Sequence, residues 1–414
     1  MYWSSKVILF PNKIVSRLKT TITQAISLTA WLRYAKRTAI IAGILASIGT
    51  ITVFLNWTFL RRLITYPDDP ITNVDWYDPL EAVVGKPTEL PRVTSSNISP
   101  DVLKKITTYA KDANSSALLV LHRGNIVGES YWQGFTPTST SNSMSMSKTV
   151  MTLLIGIAIE EGYIKSELEP VANYIPEWSD DERSKITLQD LLYMQSGLRN
   201  WDDEDNPTSD LVQMYANTDA DAVAIAIPAV RPPGEAFDYN NANTQILGEV
   251  LERATKQRYA DYLSTRLWQP LQANNANVWL DRPQGNPKPF CCLFATPRDW
   301  AKIGQLFLNR GKVNGQQIVP SEWFDKMKQP SSLQPKYGYH IWLKARTGIY
   351  DRSSSRPFLA EDTFYLDGAS RQRVYIIPSH QLVIVRIGEK PDLWDDSVMP
   401  NALVSNLLDR HQEK

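Results

Sequence analysis

The sequence predicts an α+β domain. It should hold an antiparallel sheet assembled from both ends of the domain, flanked by helices, with a helical subdomain inserted between and one transmembrane helix ahead of it. Three observations predict this. Hairpin patterns stand near residues 120 and 380, helical patterns fill the interval between them, and a charge-free apolar run comes first.

That run, residues 38–60, reads TAIIAGILASIGTITVFLNWTFL. Its length of about 23 residues is enough to cross a bilayer with some tilt. Lys6, Lys13, Arg17, Lys19, Arg33, Lys36 and Arg37 precede it, and only Arg61 and Arg62 follow closely. The positive-inside bias then keeps the N-terminus in the cytoplasm and exports the rest. A cleaved secretory signal is the competing reading. It needs an unusually long basic leader, and no small-x-small cleavage site follows. The expected organisation is a basic cytoplasmic segment (1–37), a membrane span (38–60), a linker (61–100) rich in Pro, Asp, Thr and Ser, and a catalytic domain (101–414). This amounts to a single-pass protein of the inner membrane with its large domain on the periplasmic side.

Within the domain, Leu118-Leu119-Val120-Leu121 and Ile126-Val127-Gly128 flank Arg123-Gly124-Asn125, which reads as a hairpin with a Gly-Asn turn. Residues 146–161 are apolar almost all round and stop at Gly162, the pattern of a buried helix with a glycine cap. Thr187-Leu188-Gln189-Asp190 and Thr296-Pro297-Arg298-Asp299 are capping-box starts. Arg373-Val374-Tyr375-Ile376-Ile377, a turn at Pro378-Ser379 and Leu382-Val383-Ile384-Val385 form the second hairpin. Residues 402–408 close the chain as a helix.

Lys plus Arg and Asp plus Glu number 44 each, a balance with nothing in it to attract nucleic acid. Thirteen Trp and 18 Tyr suit a rigid domain with a cleft for small organic molecules. The two cysteines, Cys291 and Cys292, are neighbours. Adjacent Cα atoms lie about 3.8 Å apart, below the usual disulfide span, so two buried free thiols are expected.

The residues most able to do chemistry are Ser145-Met146-Ser147-Lys148, at the head of the buried helix. Positions three apart share a helix face, so hydroxyl and amine can meet. A serine is a weak nucleophile until something takes its proton, and a lysine can take it only once desolvation lowers its pKa. The spacing alone is weak, because Ser16 and Lys19 repeat it in the basic leader. A second element is Phe237-Asp238-Tyr239-Asn240-Asn241, led in by Pro232-Pro233-Gly234. There Tyr239 could share the proton and Asn241 could hydrogen-bond a substrate amide or the lysine; an aromatic loop followed by an Asn helix cap is the plainer reading.

With SMSMSKTVMTLLIGIAIEEGYI, ITLQDLLYMQSGL, PPGEAFDYNNANTQILGEVLE, CCLFATPRDWAKIGQLFLNRG and RQRVYIIPSHQLVIVRIG in this order, the chain resembles the serine β-lactamase and penicillin-binding-protein-like hydrolases. It looks closest to the class C β-lactamase-related branch, which includes esterases and 6-aminohexanoate-dimer hydrolases. The resemblance implies a β-lactamase/transpeptidase-like fold and a covalent acyl-enzyme. It implies Ser145 as nucleophile, Lys148 as its base, Tyr239 with Asn241 as the second element, and an oxyanion hole from the Ser145 N–H and a strand N–H near Gln372. The family's third element, Lys or His, any residue, then Gly, reads here as Ala369-Ser370-Arg371. Arg371 either takes the place of the missing cation or points to solvent.

Trp201 leads the acidic run Asp202-Asp203-Glu204-Asp205, either a solvated loop or a pocket wall that repels anions. Gly338-Tyr339-His340-Ile341-Trp342 is either an aromatic strand along the cleft or a core strand. His122, His340, His380 and His411 have no metal spacing, and neither a Gly-x-Ser-x-Gly elbow nor a phosphate loop is present. The expected function is a serine hydrolase acting on a small ester, amide or peptide-like substrate without metal or cofactor. A D-alanyl peptidase or β-lactamase of the cell-wall compartment is the second reading, and a catalytically silent, membrane-tethered binding protein the third.

Overall fold

The computed structural model describes residues 56–93, 96–347 and 353–412, with isolated positions between 31 and 41. The chain divides into two units, Met1–Arg61 and Arg62–Lys414. Among the described residues no helix is long and apolar enough to cross a membrane, and most of the run 38–60 lies outside them.

In the second unit the stretch expected to be a linker is largely part of the domain. The Arg62 guanidinium is buried and donates to the carbonyls of Ala216, Asn217, Asp78 and Leu280. Strand β1 (Leu80–Val83) joins a sheet, and Arg92 bridges to Ile126. Helix α1 (Pro100–Asp112) follows, capped by Ser99 with proline at its start. Then comes the first hairpin, β2 (Ser115–His122) with β3 (Asn125–Tyr131). Its turn lies one residue earlier than expected: His122 pairs with Asn125, and Arg123 and Gly124 both have positive φ.

Strand β4 (Ser141–Asn142) leads into helix α2 (Ser147–Glu160), which ends before Gly162 at φ 77°. Both predicted capping boxes form. Thr187 starts the short helix Leu188–Leu192, helix α3 (Asn241–Thr255) follows later, and Thr296 starts α4 (Pro297–Leu308). Strands β5 (Ala276–Trp279) and β6 (Leu293–Ala295) complete a sheet of order β1-β5-β6-β4 that the sequence pattern did not reveal. After a small hairpin, β7 (Lys312–Val313) with β8 (Gln316–Gln317), come β9 (Phe364–Gly368), β10 (Gln372–Ile377) and β11 (Leu382–Gly388). The closing helix α5 spans Val398–Gln412, longer than expected at both ends.

The main sheet is antiparallel with order β3-β2-β11-β10-β9, so the two ends of the domain do meet in its centre. Alternation along its strands feeds two cores. Leu119, Leu121, Val374, Ile376, Val383 and Val385 pack with Trp300, Ile303 and Phe307 of α4. Leu118, Val120, Tyr375, Ile377, Leu382 and Ile384 pack with Ile106 of α1 and Leu403, Val404 and Leu407 of α5. Covering both faces explains why these strands read as continuous apolar runs.

Candidate active site

Every residue from 141 to 158 is buried except Ser145. It sits in the 3-10 turn Met144–Met146 that runs directly into α2, so the one accessible side chain in this stretch is a hydroxyl at a helix head. Lys148 follows one turn on, 1% exposed. Its Nζ donates to Ser145 Oγ at 2.7 Å and to the backbone carbonyl of Phe290 at 2.6 Å. Burial holds the amine far below the usual lysine range, at about 7, with the Asp367 carboxylate acting against the shift. Tyr239 lines the same cleft as Ser145, and Lys148 Nζ lies 5.2 Å from the centre of its ring. Burial raises the phenol well above its ordinary pKa, so it stays protonated at neutral pH.

Tyr239 is held by its neighbours along the chain. Asn240 caps α3 by accepting from the N–H of Ala242 at 2.9 Å, and its amide donates to Arg199 O at 3.0 Å. Asn200 Nδ2 donates to Tyr239 O at 3.2 Å and to Asp238 Oδ1 at 2.7 Å. His340, one of the discounted histidines, is buried with Nδ1 3.1 Å from Lys148 O and 3.1 Å from Thr152 Oγ1. Burial holds its pKa down at about 3, so the ring is neutral and braces the helix that carries the nucleophile.

Ser145 opens into a cleft of about 860 Å³ whose walls include Tyr239, Phe237, Trp342, Trp394 and the backbone from Asp367 to Arg371. The end of β9 reaches the nucleophile closely. A Cβ on Gly368 would stand 2.5 Å from Ser143 O, so only glycine allows the strand this near. Asp367 pairs with Arg346 at 2.8 Å and with the buried Arg373, and the Arg346 guanidinium lies 4.4 Å above the Trp342 ring. Arg386, fully buried, donates to the carbonyls of Ser370 and Arg371 and so fixes the loop at the cleft edge. Among the described residues no cluster of His, Cys, Asp or Glu is placed to hold a metal ion.

A family model described as Beta-lactamase matches residues 103–401, well over half of the chain. The chain belongs to the Beta-lactamase family. The 6-aminohexanoate-dimer hydrolase of Paenarthrobacter ureafaciens is 26% identical over 351 residues, covering 81% of this chain and 86% of that protein. Among solved structures, a candidate 6-aminohexanoate-dimer hydrolase from Bacillus anthracis superposes with a TM-score of 0.67 at 22% identity. It covers 87% of this chain and 95% of its own. A family VIII carboxylesterase gives a TM-score of 0.58 at 14% identity, covering 77% and 100%. These structures establish the fold, an α+β architecture with antiparallel sheets. With a family whose members include hydrolases, the chain is an enzyme of the serine-hydrolase kind.

In this member of the Beta-lactamase family the structure brings Ser145, Lys148 and Tyr239 together, and Arg371 lines the same cleft. Three other expected contributors stand elsewhere. Gln372 is buried, its amide donating to Gly388 O at 2.5 Å and accepting from Gly388 N at 3.1 Å, so it ties β10 to β11 and does not line the cleft. Asn241 is the first residue of α3 and is not part of the cleft lining, the helix cap being Asn240. Trp201 is 37% exposed outside the cleft, and the acidic run after it is also exposed apart from half-buried Asn206 beyond its end. Trp342, one of two readings left open by the sequence, does line the cleft.

Sequence reasoning missed Asp367, Arg346 and the Phe290 carbonyl. A backbone acceptor leaves no residue signature, and Asp367 and Arg346 are joined only by the fold. It also misread the cysteines, since the structure bonds the Cys291 and Cys292 sulfurs, with Cα atoms 3.7 Å apart.

Proposed function

We propose that this enzyme hydrolyses a small ester or amide through a covalent acyl-enzyme on Ser145, in the manner of a carboxylesterase or short-amide hydrolase. The observation that carries the reading is the 2.7 Å contact between Ser145 Oγ and a lysine amine that burial keeps near neutrality. With the amine uncharged, its lone pair accepts the serine proton as Oγ attacks the carbonyl. The protonated Tyr239 phenol then donates toward the leaving group, and Lys148 returns the proton. Water repeats the sequence in reverse to release the acid. The developing oxyanion is stabilised by the backbone N–H of Ser145 and by one at the end of β9, at Ala369, next to the close approach that Gly368 permits.

Gly368 also fits the glycine of the family's third element better than Arg371 does, because it lies beside the nucleophile. Leu366, which is buried, then stands where Lys or His is usual, followed by Asp367. A carboxylate already shared by two arginines gives little help to a substrate carboxylate. This favours esters and amides over penicillins, with Arg371 the remaining candidate for an anionic substrate group. The catalytic unit is read as exported, behind a membrane span at residues 38–60.

The test is incubation of the enzyme with p-nitrophenyl acetate and, separately, with a penicillin, followed by intact mass. An acetyl adduct and turnover that both vanish in Ser145→Ala are expected. Turnover unchanged in that variant removes the reading, and a stable penicilloyl adduct replaces it with the cell-wall peptidase one.

A further inference from the structure

The segment just before β6 meets the head of α2 through three successive backbone carbonyls. Pro289 O accepts from Ser147 Oγ at 2.8 Å, Phe290 O from Lys148 Nζ at 2.6 Å, and Cys291 O from Ser143 Oγ at 3.2 Å. Ser143 Oγ in turn accepts from the N–H of Leu293 at 3.3 Å. On its other side the segment is a tight turn, with the N–H groups of Cys291 and Cys292 both donating to Lys288 O, at 3.3 and 3.1 Å. The peptide plane carrying the Phe290 carbonyl is therefore held at its N–H by Lys288 and aimed through its oxygen at the amine.

This acceptor decides where the base points. A neutral amine has one lone pair and two N–H groups, so anchoring an N–H on Phe290 O leaves the lone pair and the other N–H to share the remaining directions, one of which faces Ser145 at 2.7 Å. The next peptide, between Cys291 and Cys292, lies inside the ring that their bonded sulfurs close. That ring fixes ψ of Cys291 and φ of Cys292, the rotations of the peptide next to the one that carries the Phe290 carbonyl, so the turn cannot unwind on that side of the carbonyl. Both residues are buried, Cys291 at 5% and Cys292 at 1%, and neither lines the cleft.

We infer that the Cys291–Cys292 disulfide is a positioning element of the reaction, fixing the Phe290 carbonyl that orients Lys148 toward Ser145. The inference rests on the acyl-enzyme reading and adds residues to it. Opening the ring needs a reductant: a dithiol cleaves the S–S bond by two successive thiolate attacks. Two electrons pass to the protein, which gains two thiols, and the reagent leaves as its own cyclic disulfide.

The experiment compares the full chain as purified, the same protein after dithiothreitol, and a Cys291→Ser/Cys292→Ser double variant. Thiols are counted by iodoacetamide labelling and intact mass, and folding is checked by circular dichroism. Displacement of the acceptor lowers kcat on p-nitrophenyl acetate about ten- to a hundred-fold, the scale of a small misplacement of a catalytic group. KM stays within about twofold. Reoxidation restores kcat in the native chain, while the double variant stays low whatever the redox state. If the bond resists the reductant, the double variant decides; if that variant does not fold, the reduced native chain does. Unchanged kcat with both thiols free, or free thiols in the purified protein, overturns the inference. The acyl adduct on Ser145 is read in parallel on the oxidised protein: its absence defeats the acyl-enzyme reading, whereas its presence with equal kcat in both redox states defeats this inference alone.

Discussion

A lysine serves as a base only while uncharged, and at Lys148 the condition is met by burial. The only resolved influence in the other direction is the carboxylate of Asp367, itself shared by Arg346 and Arg373. The sign of the pH dependence follows. Below about 7 the amine is an ammonium with no lone pair for the serine proton, so kcat/KM falls about tenfold per pH unit as the solution is made more acid, and it levels off above. Tyr239 adds no limb in this range, because burial moves the phenol upward, away from neutrality. In Lys148→Arg the charge is permanent, so the limb disappears and kcat drops about 10²–10⁴-fold. A pH–rate profile of both proteins checks this, and an unchanged acid limb in the arginine variant would remove Lys148 from the role. Ser145 and Lys148 were legible because their partnership is local, one helical turn. Arg346 and Asp367 were not, because their pairing is made only by the fold.

At the scale of elements, the two hairpins, the buried helix and both capping boxes were legible because each is written in consecutive residues. The sheet β1-β5-β6-β4 was not. Its strands have two to four residues and pair across long separations, too short for a period to show. The register proposed at the cleft edge, with Gly368 beside the nucleophile, was hidden for a different reason. The link from β9 to β10 turns through Ser370 and Arg371, at φ 57° and 64°, where a turn signal normally needs glycine or asparagine. The pattern therefore ran straight through to Gln372, and the glycine that matters, Gly368, went unnoticed. Gly368→Ala puts a methyl 2.5 Å from a backbone oxygen and 2.8 Å from Gln372 Cβ, so β9 must retreat from the nucleophile. We expect kcat to fall about 10²-fold while the melting temperature moves by only a few degrees, roughly what 1 kcal/mol produces in a domain of this size. Steady-state kinetics beside a thermal melt would show it; equal fractional losses in folded protein and activity would mean that the strand is merely structural.

For the whole molecule, the expected linker and the expected membrane span have to be considered together. Residues 62–93 are not slack: Arg62 is consumed by four carbonyls, and β1 is an integral strand, so the catalytic unit begins almost where the apolar run ends. The topology reading rests on a charge asymmetry. Arg62 donates to four carbonyls inside the folded unit, and only Arg61 and Arg62 follow the run closely, against seven basic residues before residue 38. A run of about 23 residues covers about 34 Å as a helix, slightly more than a hydrocarbon core of about 30 Å. The full chain expressed in a bacterial host should therefore stay in the membrane pellet through alkaline carbonate extraction. Protease added to spheroplasts should remove the catalytic unit while leaving the basic leader protected. Release of the full-length chain by carbonate would end the case for a membrane span, and protection of the catalytic unit from protease in spheroplasts would end the case for export.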